Sequence, residues 1–332
     1  MLGAFKGNAH FDPIILLLIA MAIEGYIGGA GALFRRVPHP VVLIGRAINF
    51  FDQKLNRDWR STVDRAVRGA VTVVLLITAA GAMGAVLMWL TFHQSFGWAA
   101  ELFLVVTLIA GRGLFDAVVG VAKALETGTL EDGQAAVSHI VGRDPATLDE
   151  GGVARAAVES LAENFSDAYV APVFWYVLMG LPGLLIYKTV NTLDSMIGHR
   201  TPRHQAFGFT AARLDDALNA VPARLSALIN AVGAMFVPTA NPRAAIAAAF
   251  RDAGKHRSFN AGWPEAAMAG ALGLALAGPR RYDDHIVEDA WMGDGRARLT
   301  AKDIRRALYL YAVACLLTGG IVAAIAVLRL EG

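Results

Sequence analysis

Cysteine is nearly absent from this 332-residue chain: Cys315 stands alone, inside an apolar run. One cysteine excludes an intramolecular disulfide, a cysteine-based zinc site and a CxxC redox pair, and leaves packing as the ordinary role of a buried thiol. Charge is scarce too. Lys, Arg, Asp and Glu make up 17% of residues, against about 25% in ordinary soluble domains, while 55% are hydrophobic. That balance points to an integral membrane protein. A net charge of +2, with no basic tract interleaved with aromatics, leaves no footprint for nucleic acid. Neither a GxxxxGK[ST] phosphate loop nor a GxGxxG dinucleotide turn occurs, so any nucleotide must be held by other means. Residues 1–12 have Lys6 as their sole lysine or arginine and no small-residue cleavage site, so the first apolar segment is expected to stay as an anchor.

Long apolar segments are what the chain has instead. The expected fold is all-α: a single polytopic membrane-embedded domain over 1–332, with its site on cytoplasmic helical segments. Candidate spans are about 13–33, 66–90, 98–110, 223–238 and 304–328. Residues 66–90 form the cleanest, long enough to cross about 30 Å of hydrocarbon. Arg35, Arg36, Arg46, Lys54, Arg57, Arg60, Arg65 and Arg68 crowd the connection before it. By the positive-inside rule that loop is expected to be cytoplasmic and the N-terminus outside; the protein is expected to be a multi-pass resident of the cell inner membrane, in contact with lipid. Within the loop, Pro38 and Pro40 bracket His39, which favours extended backbone before a helix resumes. Glu24, in the first span, either faces the protein interior or snorkels to the headgroups. Residues 169–187 are apolar but carry Pro172, Gly180, Pro182 and Gly183, and read as a re-entrant or spanning segment, as do 264–277.

Three polar stretches, 112–168, 188–222 and 251–265, are expected to carry the site on the cytoplasmic side. Arg155, Glu159, Glu163 and Asp167 recur every four residues, along one face of a helix that must continue past Asn164. Such a face is either a solvated salt-bridge ladder or, with three acids to one arginine, a place for a cation or substrate ammonium. Lys188, Asn191, Asp194 and Ser195 share a second helical face, suited to an anionic substrate and a metal ion. Arg213 followed by Asp215 and Asp216 fits either a solvated helix end or Mg²⁺ ligation. Lys255, His256, Arg257 and Ser258 precede an Ala/Gly-rich helix with Glu265 near its start, which is either a phosphate cradle or juxtamembrane charge facing anionic lipid.

Several blocks carry a resemblance. They are PHPVVLIGR at 38–46, IVGRD and LDE within 140–150, ARAAVESLAEN-x-SD at 154–167 and APVFW at 171–175. YK-x-x-NTLDSMIG-x-R follows at 187–200, FG-x-x-AARLDD at 207–216, PARL at 222–225 and HRS-x-NAGWPEAAMAGALG at 256–273. In this order they resemble the CobD/CbiB cobalamin-biosynthesis proteins, the adenosylcobinamide-phosphate synthases. The chain departs from that pattern at Glu24, at Gly28–Gly31, and at Phe165, Ala168 and Phe259. The resemblance implies a membrane ligase that joins adenosylcobyric acid to (R)-1-aminopropan-2-yl phosphate through an amide bond, driven by ATP as its Mg²⁺ complex. The corrinoid is then substrate, and other late-pathway membrane enzymes are candidate partners. Such chemistry needs cations for the anionic substrates, a base for the amine proton and Mg²⁺ for the phosphates. The implied roles are catalytic for Glu159, Glu163, Asp194 and Lys188, and metal-binding for Asp167, Asp215 and Asp216. Arg143, Arg155, Asn164, Ser166, Asn191, Arg213, His256, Arg257, Ser258 and Asn260 would hold or orient substrate and phosphate.

Two rivals come from other classes. A transporter or corrinoid-handling subunit predicts charges spread along the spans and internal repeats, whereas charge here gathers at span ends. A lipid phosphotransferase of the CDP-alcohol type would carry a spaced aspartate signature that this chain lacks.

Overall fold

The computed structural model describes residues 12–28, 38–142, 144–282, 285–287 and 289–331. Lys6, Gly29–Gly31, Arg35, Arg36 and Arg143 lie outside them. The described chain is almost entirely helical, in agreement with the all-α expectation. Its helices are α1 (Pro13–Ile27), α2 (Pro40–Leu55), α3 (Thr62–His93), α4 (Gly97–Leu108), α5 (Gly111–Thr127) and α6 (Leu130–Ser138). Then come α7 (Glu150–Asn164), α8 (Ala171–Ile197), α9 (Phe209–Gly233), α10 (Pro242–Asp252), α11 (Gly262–Leu272) and α12 (Ala301–Glu331). Local chemistry sets many of the starts. Asp12, His39, Ser61, Thr129, Asp149 and Asn241 each accept a first-turn N–H, and Pro13, Pro40 and Pro242 sit where a missing N–H costs nothing.

Among the described residues, four helical runs are long and apolar enough to cross a membrane: Thr62–His93, Gly97–Thr127, Glu150–Ile197 and Ala301–Glu331. α3 is the least covered by protein, with 17% of its apolar window buried. Residues 223–233 of the segment expected at 223–238 form the second half of α9, and a 3₁₀ turn follows at Ala234–Phe236.

The chain divides into two compact units. The first comprises 1–109, 172–218 and 321–332. In it α4 packs on α1 and α3, and Ile48, Val73, Leu193, Ile197, Phe207 and Ala211 form a buried cluster. α8 is not one straight rod. Gly180 leaves helical geometry (φ 65°, ψ −153°), a left-handed backbone that glycine adopts without strain. Beyond it, a Cβ at Gly183 would strike the carbonyl of Trp175. Eight residues of unbroken helix would hold those two about 12 Å apart, so the chain folds back at Gly180 as a helical hairpin. The returning arm runs antiparallel to α3: Met88 meets Gly180, Gly84 meets Pro182 and Gly81 meets Ile186, and Gly69 meets Phe207 in the segment after α8. Glu24 is buried in this unit, so it faces the interior and not the headgroups.

The second unit comprises 110–171 and 219–320. Here α5, α6 and α7 pack together, α10 lies on α11, and α7 touches α11. α11 has 11 residues, about 17 Å of helix, and is apolar because protein covers nearly all of it. It ends at Gly273 in the left-handed region. Two small antiparallel ladders follow: β1 (Leu276–Ala277) with β4 (Trp291–Met292), and β2 (Arg280–Tyr282) with β3 (His285–Val287). The all-α expectation did not include these ladders. Pairs of two and three residues carry too little alternation to register against a helical background.

Candidate active site

In the second unit the site-like residues sit on and around α7. Asp149 caps the helix through Gly152 N–H at 2.7 Å, and Arg155, Glu159 and Glu163 then align one turn apart. Arg155 Nε lies 3.8 Å from Glu159 Oε1, its Nη1 donates to the Ala297 carbonyl at 3.3 Å, and its guanidinium sits 5.3 Å above the Trp291 ring. Glu159 Oε1 accepts the Ala277 N–H at 2.8 Å. Two of the four aligned residues therefore clamp the segment that carries β1 and β4, while Glu163, one turn on, is exposed. Asn164 Nδ2 donates to the Ser160 carbonyl (2.9 Å) and hydroxyl (3.2 Å), and Ser160 Oγ donates to the Ile140 carbonyl at 2.6 Å. The IVGRD block is thereby tied to α7.

The helix does continue past Asn164, but as a π turn over Phe165–Val170. The wider turn takes Asp167 off the line of Arg155, Glu159 and Glu163 and leaves it half-buried. Ser166 is buried there, and its hydroxyl has no hydrogen-bond partner among the described residues.

At the start of α11, His256 Nδ1 accepts the Ser258 N–H at 3.0 Å and its Nε2 lies 3.7 Å from Glu265 Oε1. Ser258 Oγ accepts the N–H groups of Asn260 (3.3 Å) and Ala261 (3.1 Å). The neighbouring cations are already engaged. Arg257 pairs with Asp289 at 2.9 Å, Lys255 with Asp252 at 2.8 Å, and Arg224 covers Phe259 and Trp263 at 4.9 and 4.7 Å. Burial pushes the Asp252 carboxyl up, but hydrogen bonds from Arg251, Lys255 and the Gly293 N–H outweigh it and hold the group at about 2.

In the first unit the returning arm of α8 carries Lys188, Asn191, Asp194 and Ser195. Lys188 is buried, and its charge acts on His39. His39 Nδ1 accepts the Val41 N–H at 3.2 Å, so the ring proton sits on Nε2 and is donated to the Thr107 carbonyl at 3.1 Å. Burial lowers the His39 pKa, the Thr107 bond raises it and Lys188 lowers it; the net direction is down. Asp194 lies within electrostatic reach of His199 and Asp216, and Arg213 Nη1 contacts Asp216 Oδ2 at 3.3 Å. Asp215 is buried and Ser195 donates to the Asn191 carbonyl at 2.9 Å. Lys188 and His39 thus make one pair of neighbours, and Asp194, Arg213 and Asp216 make another.

The chain matches the family described as CobD/Cbib protein over residues 17–311. The chain belongs to the CobD/Cbib family. Its relatives include the "Cobalamin biosynthesis protein CobD" of a Sinorhizobium species, 48% identical over 323 residues that cover 95% of this chain and 98% of that one. The protein of the same name from Rhizobium meliloti is 47% identical over 92% of this chain and 94% of its own. That from Rhodobacter capsulatus is 44% identical over 89% and 92%. No solved structure matches.

Seen from within this CobD/Cbib chain, sequence reasoning passed over three residues in the two sites. His39 was legible only as an extended residue between prolines; its cap and its Thr107 bond explain why that geometry is held. Trp291 and Ala277, which complete the Arg155–Glu159 clamp, lie more than 100 residues from α7 and send no signal in spacing. Among the described residues no three His, Cys, Asp or Glu side chains gather in one place. A Mg²⁺ carried in on phosphates would need only one or two carboxylates from the protein.

Proposed function

We propose that this membrane protein works in cobalamin biosynthesis as an adenosylcobinamide-phosphate synthase. It would join adenosylcobyric acid to (R)-1-aminopropan-2-yl phosphate with Mg·ATP, from the cytoplasmic side of the cell inner membrane. Membership of the CobD/Cbib family over residues 17–311 is the observation that carries the reading. The residue types on α7, on the returning arm of α8 and before α11 support it.

The chemistry balances in two steps. A propionate oxygen of the corrinoid attacks the γ-phosphorus of ATP and ADP leaves; the amine nitrogen then attacks the acyl carbon, phosphate leaves, and a base takes the amine proton. Glu163 and Asp194 are the candidates for that base. Lys188, a buried cation, suits a phosphate or carboxylate, and Asp194 with Asp216, or Asp167, can share Mg²⁺ with the nucleotide phosphates. Asp215 remains a metal-ligand candidate. Glu159 and Arg155 hold the β1–β4 segment in place.

The test uses purified protein in detergent or nanodiscs, given adenosylcobyric acid, aminopropanol phosphate and Mg·ATP, with product mass and ADP followed together. An amide product of cobinamide-phosphate mass, with ADP released only when both substrates are present, is expected. No product and no ADP from folded protein with aminopropanol, ethanolamine or threonine phosphate would overturn the ligase reading in favour of corrinoid handling.

A further inference from the structure

Beside the α2–α3 connection lies an open polar cavity that this chemistry does not use. It lies within the first unit, has a volume of about 380 Å³, and is lined by Gln53, Lys54, Asn56, Arg57, Asp58 and Arg203. Its wall is held in place. Asp52, buried, accepts from Arg203 Nη2 at 2.7 Å and Nε at 3.2 Å. Asn56, also buried, donates to Asp52 Oδ1 at 2.7 Å and to the Arg203 carbonyl at 3.0 Å, and accepts from Arg65 Nε at 2.7 Å. Arg65 also donates to the carbonyls of Pro202 and Arg203. At the rim, Lys54 and Arg57 are exposed and make no ion pair or side-chain hydrogen bond among the described residues. Because Arg203 and the buried Asp52 answer each other, Lys54 and Arg57 are left facing one acid of the lining, Asp58, and the cavity keeps a net positive charge.

Two further observations say what kind of anion this is. Trp59, at the edge of the cavity's own segment, is 77% exposed, with the Arg60 guanidinium 4.4 Å from its ring. An indole projecting beside arginines is a side chain suited to the headgroup layer. From there α3 presents Val63, Val67, Val71 and Val74, all exposed and spaced by four, four and three residues, as an apolar stripe along the helix. A cationic cavity next to a stripe of that kind matches a molecule with an anionic head and hydrocarbon tails.

We propose that this cavity binds the phosphate headgroup of an anionic phospholipid, whose acyl chains lie along the valine stripe of α3. Lys54 and Arg57 supply the charge, Arg203 a fixed guanidinium, and Trp59 marks the headgroup level.

Native mass spectrometry of the full chain in neutral detergent, with equal phosphatidylglycerol and phosphatidylcholine, tests this. Wild type should retain phosphatidylglycerol preferentially. The variant Lys54→Gln/Arg57→Gln, whose side chains hold nothing in the fold, should lose that preference by roughly 30-fold, at one surface cation's attraction for each charge removed. The control Arg298→Gln/Lys302→Gln removes the same charge from the second unit and should keep it. No preference in wild type, an unchanged Lys54/Arg57 variant, or an equal loss in the control would overturn the proposal. So would inorganic phosphate alone raising the melting temperature as much as the lipid does, because the cavity would then be a free-phosphate site.

Discussion

Truncation of Glu159 to alanine removes the acceptor that its Oε1 offers the Ala277 N–H at 2.8 Å. Ala277 is buried and carries a positive φ of 55°, so its N–H has no easy route to solvent. Leaving a buried N–H unsatisfied costs about 1–3 kcal/mol, and deleting the one buried methylene that alanine lacks adds about 0.8 kcal/mol. Loss of the partner 3.8 Å from Arg155 adds little, because solvent reaches that guanidinium. A total of about 2–4 kcal/mol translates, for a chain of this length, to a melting temperature roughly 4 °C lower. Glu159→Gln keeps an oxygen for Ala277 and should cost under about 1 kcal/mol. Thermal unfolding of wild type and both variants in one detergent, followed by intrinsic fluorescence and paired with turnover, reads all three. If the alanine variant melts within about 1 °C of wild type, the Ala277 clamp contributes nothing. A glutamine variant that melts normally yet loses more than about 100-fold in turnover would assign Glu159 to the chemistry and refute the positioning role.

The remaining predictions concern both units. Glu163→Ala and Asp194→Ala should each lower ligase turnover by about 100-fold or more in protein of normal melting temperature; near-normal activity in both would remove them from the site. His39 has a folded pKa below its ordinary 6.5, so its contribution is fully present above pH 6.5 and is lost as pH falls toward the folded value. Melting temperature should therefore drop below pH 6.5 in wild type, and less in His39→Asn, which keeps a capping oxygen and cannot titrate; parallel pH profiles would count against this. A Cβ at Gly84 would come within 2.6 Å of Pro182 Cα. Gly84→Val should force α3 and the returning arm apart and cost about 1–3 kcal/mol, seen as a lower melting temperature.

What could be read from the sequence follows from how far each signal travels along the chain. Spans 66–90 and 304–328 were plain because an uninterrupted apolar run reports burial in lipid directly, and α3 and α12 contain them. The break in 169–187 was also visible, since Gly180, Pro182 and Gly183 are local signals; that Gly183 folds back onto Trp175 is a tertiary fact. The alignment of Arg155, Glu159 and Glu163 was legible from spacing alone. The π turn that displaces Asp167 was not, because one extra backbone atom group per turn leaves no mark on composition. The basic run at 255–257 read as available charge, yet its partners Asp289 and Asp252 lie on other segments or on a helix end whose neighbours could not be known.

The antiparallel contact between α3 and the returning arm also works as a depth gauge. Ile186 touches the Gly81 position, and Lys188 follows two residues later, about 3 Å farther toward the start of α3. That sets the lysine beside the middle of a 32-residue helix, roughly 25 Å from its first turn. An anion bound at Lys188 would lie well below the level at which α3 begins. Below that level each charge–charge contact acts through a poorer dielectric than at the surface. Under the proposed function, a small amino-alcohol phosphate would fit that level better than a corrin ring would.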